Sequence, residues 1–185
     1  SEYLASKGVG EQVVLDAAQS LDVTVFRPSV MFGLGDSFLS MFAKVLKKLP
    51  FFPLGFGQAR FQPGWVGDVA DAFVDSLENS STFGQAYDLT GPKVYSLREL
   101  VEYTAELSGS KASIIALCEG FAYLQAGLMW LAPKPLMSPD NLRSMQVDSV
   151  WEAGMKAFPA WKPTALEAIA PTYIARNVAR GRLQS

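Results

Sequence analysis

The chain has 185 residues, 49% of them hydrophobic, and a formal net charge of −2. That length and apolar content suit one domain with a sizeable core, and the charge argues against a nucleic-acid surface. The absence of histidine excludes a histidine triad, base or metal site, and the lone Cys118 excludes an internal disulfide and suits a reducing compartment.

Residues 1–20 read as a helix with Val9, Val13, Val14, Ala17 and Ala18 on an apolar stripe. Val23 to Arg27 is short, apolar and β-branched, bounded by Asp22 and Pro28, which predicts a buried parallel strand. Phe38 to Leu49 reads as a helix stopped by Pro50, and Pro50 to Gly57 as a loop. Arg60 to Val66 is an expected strand, Asp68 to Glu78 a helix with its acid at the positive dipole end, and Phe83 to Leu89 a further strand. Gly91-Pro92 makes a turn. Ser96 and Glu99 then form a capping box for a helix that Gly109 stops.

Ser113 to Ala132 is nearly all apolar. About 20 residues of that kind can span a bilayer. Glu119 would be costly within one, so a buried or amphipathic helix is the expectation, with membrane contact as the alternative. Asn141 to Gln146 suggests one or two helical turns, and Pro163 to Arg180 a last helix broken near Pro171. Arg176, Arg180 and Arg182 read as a solvated cationic end. No cluster of cysteine and carboxylates has metal-ligand spacing, so no metal is expected.

The opening residues carry the chemistry. Tyr3 and Lys7 lie four apart on the first helix and share a face. A nearby cation favours phenolate, so such a pair can move a proton to or from a hydroxyl or carbonyl. On its own, this spacing fits an ordinary exposed pair better, because a four-residue motif is weak.

The surrounding sequence adds ordered motifs. The first helix reads Tyr3-x-x-x-Lys7-x-x-x-Glu11, the next strand ends in Arg27-Pro28 with Gly33 beyond it, and RFQPGWVGDV follows at 60–69. Tyr87-Asp88-Leu89-Thr90-Gly91 and Ser96-Leu97-Arg98-Glu99-Leu100 complete the series. Here the chain resembles the extended short-chain dehydrogenase/reductase family, the NAD(P)-dependent epimerases and dehydratases, over roughly residues 1–108. Asp36-Ser37-Phe38-Leu39, Pro53-Leu54-Gly55, Gln62-Pro63 and Pro139-Asp140-Asn141-Leu142 resemble an atypical branch. That branch includes the nucleotide-binding accessory subunit of respiratory complex I and its bacterial relatives.

The resemblance implies an α/β fold: the C-terminal part of a Rossmann-type doubly wound parallel sheet, plus a smaller, mainly helical substrate lobe. Residues 1–33 would supply the active-site helix and strand, and 34–185 mostly the substrate lobe, with 83–91 returning to the sheet. Tyr3 would be the acid/base, and Lys7 would hold the nicotinamide ribose and depress the tyrosine pKa. Pro28 and Ser29 would approach the nicotinamide, with a plain strand-to-loop break as the alternative.

Arg60 would grip a nucleotide diphosphate, or else pair with Asp68 or Asp71 as a rim charge. The family's usual histidine is missing from this segment, where Gly64-Trp65 stands, which weakens the case for a sugar nucleotide. Asp68 reads better as a helix cap or structural carboxylate. Phe51, Phe52, Phe56, Phe61 and Trp65 would line an apolar pocket or form the small lobe's core.

The glycine-rich turn that cradles a dinucleotide pyrophosphate has no counterpart. Gly8-Val9-Gly10 lies within the first helix, and Gly33-Leu34-Gly35 lacks a third glycine. The expectation is therefore the rear part of a longer protein, whose missing N-terminal half would hold most of the NAD or NADP and cover an open sheet edge.

Two functions follow from the resemblance. One is hydride transfer at a hydroxyl or carbonyl, with a nucleotide sugar as one candidate substrate; the fragment alone would be inactive. The other is a non-catalytic NADP(H)-binding accessory role in a respiratory or membrane-associated assembly. The implied partners are a small-molecule substrate, a respiratory complex or membrane surface, and a second copy of the chain, at a cytoplasmic or membrane-peripheral location.

Overall fold

The computed structural model describes residues 2–118, 120, 148–159 and 161–182, and among these all side chains except Tyr3 and residues 176–182. The chain opens with α1 (Glu2–Asp16), continued by a 3-10 turn (Ala17–Gln19). It then passes through β1 (Thr24–Pro28), β2 (Met31–Phe32), α2 (Leu39–Leu46), β3 (Phe51–Leu54), β4 (Arg60–Phe61) and β5 (Gly64–Trp65). Next come α3 (Val66–Leu77), a 3-10 turn (Ser80–Thr82), β6 (Gln85–Leu89), β7 (Tyr95–Ser96), α4 (Leu97–Ser108), β8 (Ser113–Ala116) and α5 (Leu166–Arg182).

The fold is mixed α/β. β1 and β6 lie side by side in parallel, Thr24 opposite Gln85 through Pro28 opposite Leu89. Successive strand residues point to opposite faces. Phe26 packs on Phe73 of α3, while its neighbour Arg27 reaches Glu11 of α1. The two helices therefore lie on opposite faces of the strand pair. On the α3 side, Val69, Ala72, Tyr87, Leu89 and Phe158 form a compact core.

A larger core joins α2, α4 and α5 with three short sheets: β2–β5 and β3–β8, both parallel, and β4–β7, antiparallel. Leu97, Leu100, Val101 and Ala170 are fully buried there. α4 has the expected limits. Ser96 and Glu99 cap its start reciprocally, and Gly109 closes it at φ 65°, a left-handed conformation that glycine adopts without a Cβ penalty.

Several expectations need correcting. Pro50 to Gly57 is not all loop, because Phe51–Leu54 forms β3 against β8. Pro53 is tolerated since a two-stranded sheet leaves one edge with no ladder bond to lose. Ser113–Ala116, expected as the start of an apolar helix, is that partner strand, with β-branched Ile114 and Ile115 at its centre.

Arg60 to Val66 is two strands interrupted at Gln62-Pro63. The last helix runs through Pro171. The stripe on α1 is exposed at Val9, Val13 and Val14, as are Phe73, Val74 and Leu77 on α3. The rest of the apolar run, the turns at Asn141 to Gln146 and the side chains of Arg176, Arg180 and Arg182 lie outside the described residues. Among those described, no helix is long and apolar enough to cross a membrane.

Candidate functional site

α1 turns back through the 3-10 turn into β1, so the two run antiparallel; the Cβ position of Gly84, just before β6, lies 3.8 Å from Ala18 Cβ in the 3-10 turn that follows α1. The level of one against the other is fixed by Glu11 and Arg27. Arg27 Nε donates to both carboxylate oxygens at 3.0 Å, and its Nη2 also reaches Glu11 Oε1. This fork holds the Glu11 carboxyl below its ordinary range, mainly by hydrogen bonding and against a smaller opposing effect of burial. The same contact raises Arg27 further.

Lys7 lies one turn before Glu11, about 6 Å along the axis, and Tyr3 one turn further. Both therefore stand toward the carboxyl end of β1, which also bears Pro28 and Ser29. In open parallel sheets that end is where ligands bind. Lys7 and Pro28 are exposed. The phenol of Tyr3 lies outside the described residues, so only its backbone position on α1 is given.

Ser29 is already engaged. Its N–H donates to the Leu89 carbonyl at 3.0 Å, and its Oγ donates to the Ser149 carbonyl at 3.0 Å and lies 2.9 Å from Ser149 Oγ. Arg60 pairs with neither Asp68 nor Asp71. Its Nη1 stands 3.7 Å from Asp148 Oδ2, and its N–H donates to Asp148 Oδ1 at 3.0 Å. Asp68 instead accepts from the Thr164 N–H at 2.6 Å and the Thr164 Oγ1 at 2.9 Å, tying α3 to the approach of α5. Of the aromatic set, Phe61 is buried in the larger core with Phe52 and Trp65 against it, whereas Phe51 is exposed. Phe61, Phe52 and Trp65 thus belong to the core of the smaller lobe.

Residues 148–159 and 161–164 carry pairings not visible in the sequence. They run across both cores. Ser149 bridges to Phe61, and the Gln62 side chain accepts from the Trp151 N–H at 2.7 Å. The main chain of Lys156 exchanges bonds with Asp88, and Trp161 Nε1 donates to the Thr90 carbonyl at 2.9 Å. Asp88 is thereby bonded to this strap and stands 3.6 Å from Arg27 Nη1.

Two phenols are also committed. Tyr173 donates to Asp36 at 2.5 Å, and Tyr95 to Glu167 at 2.7 Å. Burial, reinforced by those carboxylates, raises both above the ordinary tyrosine value. These pairings span 72 to 137 residues, and no local pattern announces them.

Among the described residues, those that fit a nicotinamide dinucleotide lie at one edge of the strand pair. Lys7 and Pro28 are accessible at the ligand end of the strand pair, while Ser29 and Arg60 hold other parts of the chain.

Comparison with known proteins agrees with this layout. Residues 1–89 match the NAD dependent epimerase/dehydratase family. The chain is 35% identical over 173 residues to NADH dehydrogenase [ubiquinone] 1 alpha subcomplex subunit 9, mitochondrial, of Mus musculus, covering 90% of the chain and 45% of that protein. The Arabidopsis thaliana protein of the same name is 32% identical over 156 residues, 81% of the chain and 38% of the relative. The chain thus spans less than half the length of these relatives.

The solved structure of a UDP-glucose 4-epimerase from Thermus thermophilus in complex with NAD superposes with a TM-score of 0.63 at 20% identity, over 98% of the chain and 54% of that structure. That likeness shows the fold. Over residues 1–89 the chain matches the NAD dependent epimerase/dehydratase family, and its motif order and mixed α/β architecture agree with that match.

Proposed function

We propose that this chain is the carboxyl-terminal part of a nicotinamide-dinucleotide-binding protein that acts at a hydroxyl or carbonyl group. The observation that carries the reading is the Glu11–Arg27 fork. It sets α1 against β1 with the backbone positions of Tyr3 and Lys7 toward the carboxyl end of β1, which supports a ligand site there. Lys7 would bind the nicotinamide ribose and hold Tyr3 toward phenolate, Tyr3 would move the substrate proton, and Pro28 would shape the nicotinamide edge. NAD or NADP would supply hydride exchange when bound, and residues upstream of Ser1 would hold most of it. Those residues would also cover the exposed apolar faces of α1 and α3.

A second reading is favoured by two observations. Arg60, the candidate diphosphate ligand, is paired within the chain to Asp148. The two relatives reported above carry the names of NADH dehydrogenase subunits. Under this reading the same site holds NADP(H) without turnover, in an accessory protein of a respiratory or membrane-associated assembly.

Replacing Tyr3 by Phe in the full-length protein separates the two. Loss of turnover by about 10²-fold or more, the scale of general acid–base catalysis, supports the enzyme. Unchanged turnover or phenotype with unchanged nucleotide binding supports the accessory role. Absence of nicotinamide nucleotide binding by full-length protein would end both.

A further inference from the structure

One region far from the strand-pair site combines positive charge with exposed apolar groups. A surface groove of about 390 Å³ lies where α2 and α4 end. Lys47, Lys48 and Lys111 line it together with Leu49, Pro50 and the Gly109–Ala112 turn, and its lining includes no carboxylate. Pro50 and Ala112 immediately precede β3 and β8, and the Ser113 N–H donates to the Pro50 carbonyl at 3.0 Å. The groove is therefore continuous with that two-stranded sheet.

In the sheet's register Phe51 stands opposite Ser113, and Pro53 opposite Ile115. Alternate residues share a face, so Phe51, Pro53 and Ile115 point one way while Leu54 points into the core. Phe51 is 57% exposed and Ile115 49%, with Leu49 also exposed beside the lysines. The polypeptide then continues from β8 into the apolar run that extends to Leu131.

We propose that this face docks on an anionic phospholipid surface: Lys47, Lys48 and Lys111 meet the headgroup phosphates, while Phe51, Ile115 and Leu49 enter the interface. Charge complementarity selects an anionic partner, and the exposed aromatic and aliphatic side chains beside the cations select a lipid surface over a soluble acidic peptide or free phosphate. Lysines at helix ends also offset the helix dipole. That role accounts for their sign and leaves Phe51 and Ile115 unexplained. The inference deepens the membrane-associated reading and rests on it for its setting; the turnover of the Tyr3→Phe variant tests that reading separately.

The test is co-sedimentation of full-length protein with vesicles of phosphatidylcholine alone or mixed with phosphatidylglycerol. Binding only to the mixed vesicles, weakened by salt, is expected. The Lys47→Gln/Lys48→Gln/Lys111→Gln variant should lose roughly 100-fold in affinity. The corresponding triple Arg variant should bind normally, and Phe51→Ser/Ile115→Ser should bind more weakly with an unchanged unfolding midpoint. Equal binding to neutral vesicles, no binding to anionic ones, or full binding by the triple Gln variant would overturn the proposal. So would polyglutamate or glycerophosphate competing for the protein as effectively as vesicles at matched charge concentration. If the triple Gln variant does not fold, the triple Arg and Phe51→Ser/Ile115→Ser variants decide alone: weak binding by the first, or undiminished binding by the second, would overturn the proposal.

Discussion

Arg27→Met should cost clearly more stability than Glu11→Gln, although the two residues form one ion pair. The Arg27 side chain is 45% exposed, so losing Glu11 should cost what a well-aligned surface pair is worth, about 0.5–1 kcal/mol. Losing Arg27 removes that pair and also takes the guanidinium away from Asp88, 3.6 Å distant, whose side chain is only 5% exposed. The Asp88 carboxylate then keeps the Lys156 N–H as its side-chain donor. Stripping a cation from a buried carboxylate adds ~1–3 kcal/mol, for a total of about 1.5–4 kcal/mol.

Urea unfolding at pH 7, followed by tryptophan fluorescence on both single variants and the double, measures this. The pH dependence has a definite sign. The folded protein holds Glu11 below its ordinary value of 4.5, so its contribution is present above that value and fades as pH falls through the lower folded one. The gap between wild type and Glu11→Gln should therefore close in acid. Equal losses for the two single variants, or a gap that persists unchanged in acid, would refute the reasoning.

Leu100 is fully buried between α2, α4 and α5, so Leu100→Ala should cost ~2–5 kcal/mol in the same urea assay, with a lower unfolding midpoint and little change in slope. At Gly91 an added Cβ would lie 1.8 Å from the Pro63 carbonyl oxygen, backbone that Gln62 and Gly91 bond in place. Gly91→Ala should therefore lose ~3 kcal/mol or more and yield little folded protein by circular dichroism. The exposed apolar Val74 and Leu77 on α3 predict self-association of this chain alone in sedimentation velocity, reduced by Val74→Ser with Leu77→Ser; a monomer at all concentrations would contradict it.

The readable parts of the fold are those with local causes. Ser96, Glu99 and Gly109 define both ends of α4 by hydrogen-bonding chemistry contained within a few residues. β1 is legible because Asp22 and Pro28 bound a short β-branched run. β3 and β8 are not, because each is an apolar stretch whose length and period suit strand, loop or helix until its partner is known. Phe51–Leu54 becomes a strand only by meeting Ser113–Ala116, about 60 residues later.

The candidate site divides in the same way. Tyr3, Lys7, Glu11 and Arg27 stand out as motif residues, and the helix period places the first three on one face. Arg60 illustrates the limit. Its local neighbours suggest Asp68 or Asp71, yet the fold delivers Asp148 from the strap, while Asp68 bonds Thr164. Ser29 likewise looks accessible in sequence and is bonded to Ser149 in the fold. Long-range pairing decides which side chains remain available to a ligand.

Equilibrium binding of NADH and NADPH to the full-length protein and its Lys7→Met variant tests the central reading most directly. The expected result is saturable binding of one nucleotide, weakened roughly tenfold or more by Lys7→Met, the scale of a lost charged hydrogen bond, while the unfolding midpoint stays unchanged. Identical affinity in the two proteins, or no binding in either, would contradict it.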